Sequence, residues 1–224
     1  MPTTPTLLND DGTASIATAF MLSHHGFRRD LRRFLATLDQ PTVPAALSDA
    51  LREEWQSLRA TLHHHHEAED HGVFPNLRAQ GGGLAIVIDG LAADHRRIDP
   101  LLERGDLAFS DLLTSQAEAL AIIRELTTLL EPHLATEEAE LIPFLRAAKT
   151  FPPQSSDAEA EFFAQGFAWA MHGVASDVLD QMYAMLPAAL LAKLPAARSA
   201  FESRYERVWG KRPAGATRTP IPDA

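Results

Sequence analysis

The 224 residues contain no cysteine, which excludes disulfides, thiolate metal sites and iron–sulfur clusters. Any metal held by this chain must be held by nitrogen and oxygen. No stretch approaches the roughly 18 uninterrupted apolar residues of a membrane span. The opening MPTTPTLLND has neither the basic n-region nor the apolar h-region of a secretory signal. We therefore expect a cytoplasmic protein without a membrane partner. Positive charge is in deficit, and the formal net charge of -10 argues against broad electrostatic binding to nucleic acid or to anionic membranes. What remains is an ordinary soluble composition, 46% hydrophobic, long enough to bury one core with a substantial appendage.

The informative stretch is HHHHEAEDHGVFP, residues 63–75. Here His65 precedes Glu69 by four positions, which on a helix places an imidazole and a carboxylate one turn apart, about 40° around the axis. Such a pair can hold a metal. The same wording returns as EPHLATEEAELIPFLRA, with His133 four before Glu137. Aligned on the histidines, Asp70 matches Glu138, Phe74-Pro75 matches Ile142-Pro143, and Leu77-Arg78-Ala79 matches Leu145-Arg146-Ala147. Upstream, His24 and His95 each precede an apolar residue at plus three (Phe27, Ile98) and a leucine at plus seven (Leu31, Leu102). The chain thus repeats a helix–turn–helix unit carrying two histidines and one carboxylate.

Apolar residues spaced at three and four predict four helices. The first, capped near Asp11 or Thr13, runs to about Leu38 with His24 in its core-facing stripe and His25 at the border. The second starts near Pro44 or Ser48 and is ended by Pro75 and the glycines at 81–83. The third spans about 83–104 with a kink expected from Pro100, and the fourth about 110–148 with one expected before His133 from Pro132. Short connections make the fold class all-α, an up-down-up-down four-helix bundle over 13–149. TFPPQSS, residues 150–156, is the boundary to an additional C-terminal helical segment, 157–210, packed on the bundle or serving a homodimer contact. Helices are expected there around 159–185 and 187–209, the latter interrupted at Pro195.

A lone histidine on an apolar face is more often a hydrogen-bonded core residue than a ligand. Here all four stripes are interrupted, always by His or Glu, and an antiparallel bundle can bring His24, His65, Glu69, His95, His133 and Glu137 to one layer. Six such groups buried without partners would cost several kcal/mol each; two divalent ions would remove that penalty. His63, His64 and His71 read as solvated or border residues, and Glu67, Asp70 and Glu138 equally fit a charged face. Nitrogen and carboxylate donors suit iron, manganese, zinc or copper.

These residues, His24, His65-x-x-x-Glu69, His95 and His133-x-x-x-Glu137-Glu138 followed by Leu-Ile-Pro, resemble the hemerythrin family, specifically the bacterial hemerythrin-like HHE cation-binding domains. The resemblance covers roughly residues 13–149. It implies a centre of two iron ions, oxo- or hydroxo-bridged, with bridging carboxylates and one iron open to a small diatomic ligand or peroxide. By position, His24, His65, His95 and His133 would be ligands and Glu69 a bridge. The second bridge is Glu138 by the spacing of the oxygen-carrying members and Glu137 by this chain's own repeat. Oxygen carriers also place a histidine four residues before the one matching His95, where this chain has Leu91. His66 is a candidate for that vacancy, as a neighbouring carboxylate serves in the similar domain of a eukaryotic iron-sensing F-box protein; His172 and water are the others.

Three functions follow from the resemblance. The first is a non-enzymatic protein that binds or senses dioxygen, nitric oxide or iron and redox state; the second is a peroxide- or nitric oxide-detoxifying di-iron oxidoreductase, peroxidase- or catalase-like. The third is an interaction protein with a structural metal. No acid or base outside the metal layer has persuasive geometry, so no catalytic residue is assigned and binding is favoured over turnover.

Overall fold

A computed structural model describes residues 6–81 and 83–210, so the chain ends beyond these lie outside the description. Residues 27–140 form one compact unit, and the described residues up to 26 and from 141 form another. Helix α1 (Ile16–Leu38) is continuous through the first division. It is followed by α2 (Ala45–Ala68), a π-helical turn (Glu69–Val73), α3 (Phe74–Gln80), α4 (Leu84–Ser110), α5 (Leu112–Glu140), α6 (Ile142–Leu145), α7 (Asp157–Ala170), α8 (Ser176–Met185) and α9 (Ala188–Trp209). None of these helices is long and apolar enough to cross a membrane.

The 27–140 unit is an up-down-up-down helical bundle, and ring contacts at its two ends show the alternation. At one end Phe34 meets Phe109 edge-on at 5.3 Å, and Trp55 stacks on Phe109 at 4.8 Å. At the other end Phe27 lies 5.3 Å from His65, His66 stacks on His95 at 3.9 Å, and His95 meets His133 at 5.0 Å. Chain numbers rise from histidine end to aromatic end in α1 and α4 and fall in α2, while α5 returns from Gln116, which bonds the Leu38 and Gln40 carbonyls, to His133. Fully buried Leu58, Leu62 and Ile98 fill the interior between these ends, and Ile88 is buried on α4 beyond His95. Trp55 is pinned further by its indole N–H, which donates to Asp106 at 2.9 Å.

Proline and glycine punctuation differs from the simplest reading of the sequence. Pro75 does not end the second helix: it enters α3 near its N-terminus, after the π turn, and the stop comes at Gly81 in the left-handed region (φ 78°). Helix α4 continues past Pro100 to Ser110, and α5 contains Pro132, its non-helical residue being Ser115. Helix α9 passes through Pro195. The fourth element breaks at Leu141, and the segment expected as one helix over 159–185 is split before Ser176, where Gly173 takes φ 88°.

A glycine is required at one point of the aromatic end. A Cβ on Gly105 would stand 2.0 Å from Trp55 Cζ2. Alanine favours a helix interior over glycine by about 1 kcal/mol, but overpacking costs about 1–3 kcal/mol or more, and the stacked, hydrogen-bonded Trp55 cannot retreat cheaply. Gly105→Ala should therefore lower the urea midpoint of unfolding; an unchanged or higher midpoint would show that the Trp55 layer is loose.

In the other unit, Ala17, Met21 and Ile142 make a small core with Leu7, Phe20 and Leu145. The Ile16 N–H donates to the Ala148 carbonyl at 2.7 Å. Ser156 caps α7 by accepting from the Glu159 N–H. Trp169 lies over Gly26, where a Cβ would come within 2.4 Å of the indole.

Candidate metal centre

The histidine end of the 27–140 unit is built around the junction of α2 with the π turn. An α-helix fitted to Pro75 would leave the residue 71 carbonyl without a donor; instead the Phe74 N–H reaches back five residues to the Glu69 carbonyl. A π turn advances less per residue than an α turn, so consecutive side chains stay closer in direction. Glu69 and Asp70 accordingly meet the same imidazole: Glu69 Oε2 lies 3.4 Å from His95 Nε2, and Asp70 Oδ1 lies 3.1 Å from His95 Nδ1. Only one ring nitrogen of a neutral imidazole carries hydrogen. Donation from Nδ1 to Asp70 therefore leaves the Nε2 lone pair facing Glu69. The sequence pattern gives Asp70 no role beyond a charged face; the π turn makes it the residue that orients His95.

Around Glu69 the donor atoms fall into two overlapping sets. One atom each from His66, Glu69, His95 and His133 lie within 4.8 Å of one another, and so do one each from His65, Glu69 and Glu137. Glu69 is 1% exposed and Glu137 0%. The oxygens of Glu69 divide between the sets, Oε1 standing 3.1 Å from His65 Nε2 and Oε2 facing His95. His133 Nε2 stands 3.1 Å from Glu137 Oε1. Donors bound at 2.0–2.2 Å to one ion stand about 3.0 Å apart in an octahedron and about 3.4 Å in a tetrahedron, so these separations are those of ligand edges.

His66 tests the fit most directly. It is buried, and neither ring nitrogen finds a hydrogen-bond partner among the described residues. Buried imidazoles without partners are costly, and this one stacks on His95 and presents its edge to His133, with ring centroids 5.6 Å apart. Leu91, one turn before His95, is buried and supplies no donor. Phe74 covers the outer side of His95, with ring centroids 5.6 Å apart.

Electrostatics match neutral imidazoles beside one reluctant carboxylate. Burial pushes the His66 basicity far down, and neighbouring His95, His65 and His133 add to this. His95 is lowered by burial, against the opposing hydrogen bond from Asp70. Glu69 is held well above the usual carboxylate range by burial, then by the neighbouring carboxylates of Glu137 and Asp70. Without a cation the cluster is frustrated, and a cation relieves it from both sides.

The consecutive acids of α5 separate completely. Glu137 faces His133 and Glu69, whereas Glu138 is gripped by Arg28, with Nη1 to Oε1 at 2.6 Å and Nη2 to Oε2 at 3.4 Å. Arg28 also binds Glu131 through Nε at 3.0 Å. Glu138 is thus buried rather than on a solvated face, because adjacent helical residues point about 100° apart and α1 supplies a cation on that side. His63, His64, Glu67 and His71 are exposed.

In the other unit His24 is fully buried on α1, three residues before Phe27 along the same helix, with its ring 4.7 Å from that of Phe20. His25 is buried too, not at a border; its Nε2–H donates to the His172 carbonyl at 3.3 Å. The His172 ring sits against Phe201 and Tyr205, with centroids 5.1 and 4.5 Å away.

No curated protein and no solved structure matches the chain significantly. The family model of the hemerythrin HHE cation-binding domain matches residues 15–145, a span holding the whole His/Glu cluster described above. With a cluster able to hold metal in an all-helical bundle, the chain belongs to the hemerythrin HHE cation-binding domain family.

Proposed function

We propose that this protein is a non-haem di-iron protein that binds or senses dioxygen, nitric oxide, or iron and redox state through a ligand position left open at the metal pair. The observation that carries the reading is Glu69, which offers one oxygen to each of two donor sets, as a bridge between two ions must. His66, His95 and His133 would hold one ion with Glu69. His65 and Glu137 would hold the other with the same carboxylate, and His24 is assigned to it on the sequence repeat. In this assignment His66 does the work of the absent helix-three histidine at Leu91, and Glu137 is the second bridging carboxylate, since Glu138 is engaged by Arg28. Two bound irons would supply a redox-active pair with room for a small exogenous ligand. The protein's own contribution is a dry, apolar-walled layer, a His95 tautomer set by Asp70, and two carboxylates whose charge the ions offset.

The test is elemental analysis of protein expressed with iron, with an absorption spectrum before and after azide or peroxide. Two irons per chain and bands that shift on adding azide are expected; one metal or none, without a ligand response, would overturn the reading. Sustained peroxide turnover would move the same site to a detoxifying oxidoreductase. Because burial and Glu137 raise Glu69 above its ordinary value, metal uptake should displace a proton there. Apparent affinity should therefore fall as pH falls. Calorimetry in two buffers of different ionisation enthalpy reads that proton, and equal heats in both would count against it.

A further inference from the structure

His133 brings only one of its two ring nitrogens to the carboxylates of the donor layer. Its Nε2 stands 3.1 Å from Glu137 Oε1, while its Nδ1 is buried and finds no hydrogen-bond partner among the described residues. If Nε2 gives its lone pair to a metal, the hydrogen of the neutral ring must sit on Nδ1. A buried N–H left unmet is costly. The charged atom facing it is Asp94 Oδ2, 3.8 Å away. Asp94 lies on α4 directly before His95, and its other oxygen, Oδ1, accepts from Arg97 Nη1 at 2.9 Å one turn along the same helix. Arg97 thus anchors one oxygen and leaves the other toward His133.

We propose that Asp94 is a positioning residue for His133: its carboxylate accepts from His133 Nδ1–H once Nε2 is given to a metal, and so holds that ligand in place across the α4–α5 interface. The proposal rests on the reading of His133 as a metal ligand. The present gap exceeds an ordinary N–H···O separation of about 2.9 Å by about 0.9 Å. A side-chain rotation of Asp94 closes that distance, since its other tie is to Arg97, whose side chain is 62% exposed. His95 shows the closed form of the same arrangement, with Nδ1 3.1 Å from Asp70 Oδ1. Asp70 comes from the π turn and Asp94 from α4, yet each is a partly exposed carboxylate at the second nitrogen of a buried imidazole. Adjacent residues of α4 therefore serve two ligands, His95 as a donor and Asp94 as the support of the donor on α5. Donation to a carboxylate raises the basicity of the metal-facing nitrogen, and losing such a partner costs about 10–100-fold in metal affinity.

Imidazole nitrogen–proton spectra of the isotope-labelled full-length protein loaded with zinc(II), a diamagnetic probe, test this, with zinc affinity measured by competition against a chelating indicator. In the unaltered protein the His133 Nδ1–H should give a downfield resonance that exchanges slowly with water. Asp94→Ala, which places the best helix former at a partly exposed helical position, should fold normally, lose that resonance to fast exchange and bind zinc about 10–100-fold more weakly. The His95 Nδ1–H should persist, and Asp94→Asn, whose amide oxygen still accepts, should restore the His133 signal. A slow His133 resonance in Asp94→Ala, or zinc affinity unchanged there, would overturn the proposal while leaving the metal centre standing. No imidazole shift on adding zinc to the unaltered protein would overturn the reading of His133 as a ligand and the proposal with it.

Discussion

Glu69→Gln should empty the buried centre of metal and, in the metal-free state, leave a more stable protein than the original. Glu69 is the one side chain common to both donor sets, so losing its anionic oxygens weakens metal binding by either set. The gain in metal-free stability comes from the same burial. A carboxylate 1% exposed beside Glu137 has a folded-state pKa raised above its unfolded value. Protonation of Glu69 therefore favours the fold below the unfolded value, and that advantage is lost as pH rises toward the folded one. Glutamine keeps the shape and carries no charge at any pH. The variant's advantage should be absent below about pH 4.5, the ordinary glutamate value, and grow above it to about 1–3 kcal/mol near neutrality, the usual scale for relieving an unsatisfied buried polar group. Elemental analysis and urea midpoints of stripped protein at pH 4 and pH 7 measure both halves. Full metal retention would remove Glu69 from the site, and equal midpoints at pH 7 would show that its burial is not costly.

Arg28→Met should be the most destabilising of the substitutions considered, by about 3–5 kcal/mol, the usual cost of removing one partner from a buried ion pair. Burial works to strip Arg28 of its charge, yet Glu138 and Glu131 together outweigh it and hold the proton more firmly than usual. Arg28 and Glu138 are each about 5% exposed, so methionine would take from the buried Glu138 carboxylate the guanidinium that grips both its oxygens. The double variant Arg28→Met/Glu138→Leu should recover most of the loss, because replacing both partners removes the desolvation penalty along with the attraction. A single variant within about 0.5 kcal/mol of the original would mean that water reaches Glu138. Should the double variant be no better than the single, packing by the Arg28 stem rather than charge would be the larger contribution.

The fold and most of the buried donors were legible because their signals are local. Apolar spacing of three and four specifies an amphipathic helix whatever lies beside it, and a histidine or glutamate interrupting that spacing is carried into the core with the stripe. His24, His95, His133 and Glu137 are all buried for this reason. His66 was visible only as a neighbour of His65, since its value as a donor depends on the rings of α4 and α5 that face it. His25 looked marginal because its partner, the His172 carbonyl, lies 147 residues away.

By itself, then, the sequence determined the helices, their polarity of faces, the repeat and the chemical class of the donors, all properties set by residues within a turn or two of each other. Which of two adjacent carboxylates enters the donor layer, and which imidazole nitrogen carries the proton, only the tertiary structure decided. Both answers rest on groups from other helices and on one π turn: Arg28 draws Glu138 aside, and Asp70 fixes His95. Their energies are settled by burial and by facing charge rather than by spacing along the chain.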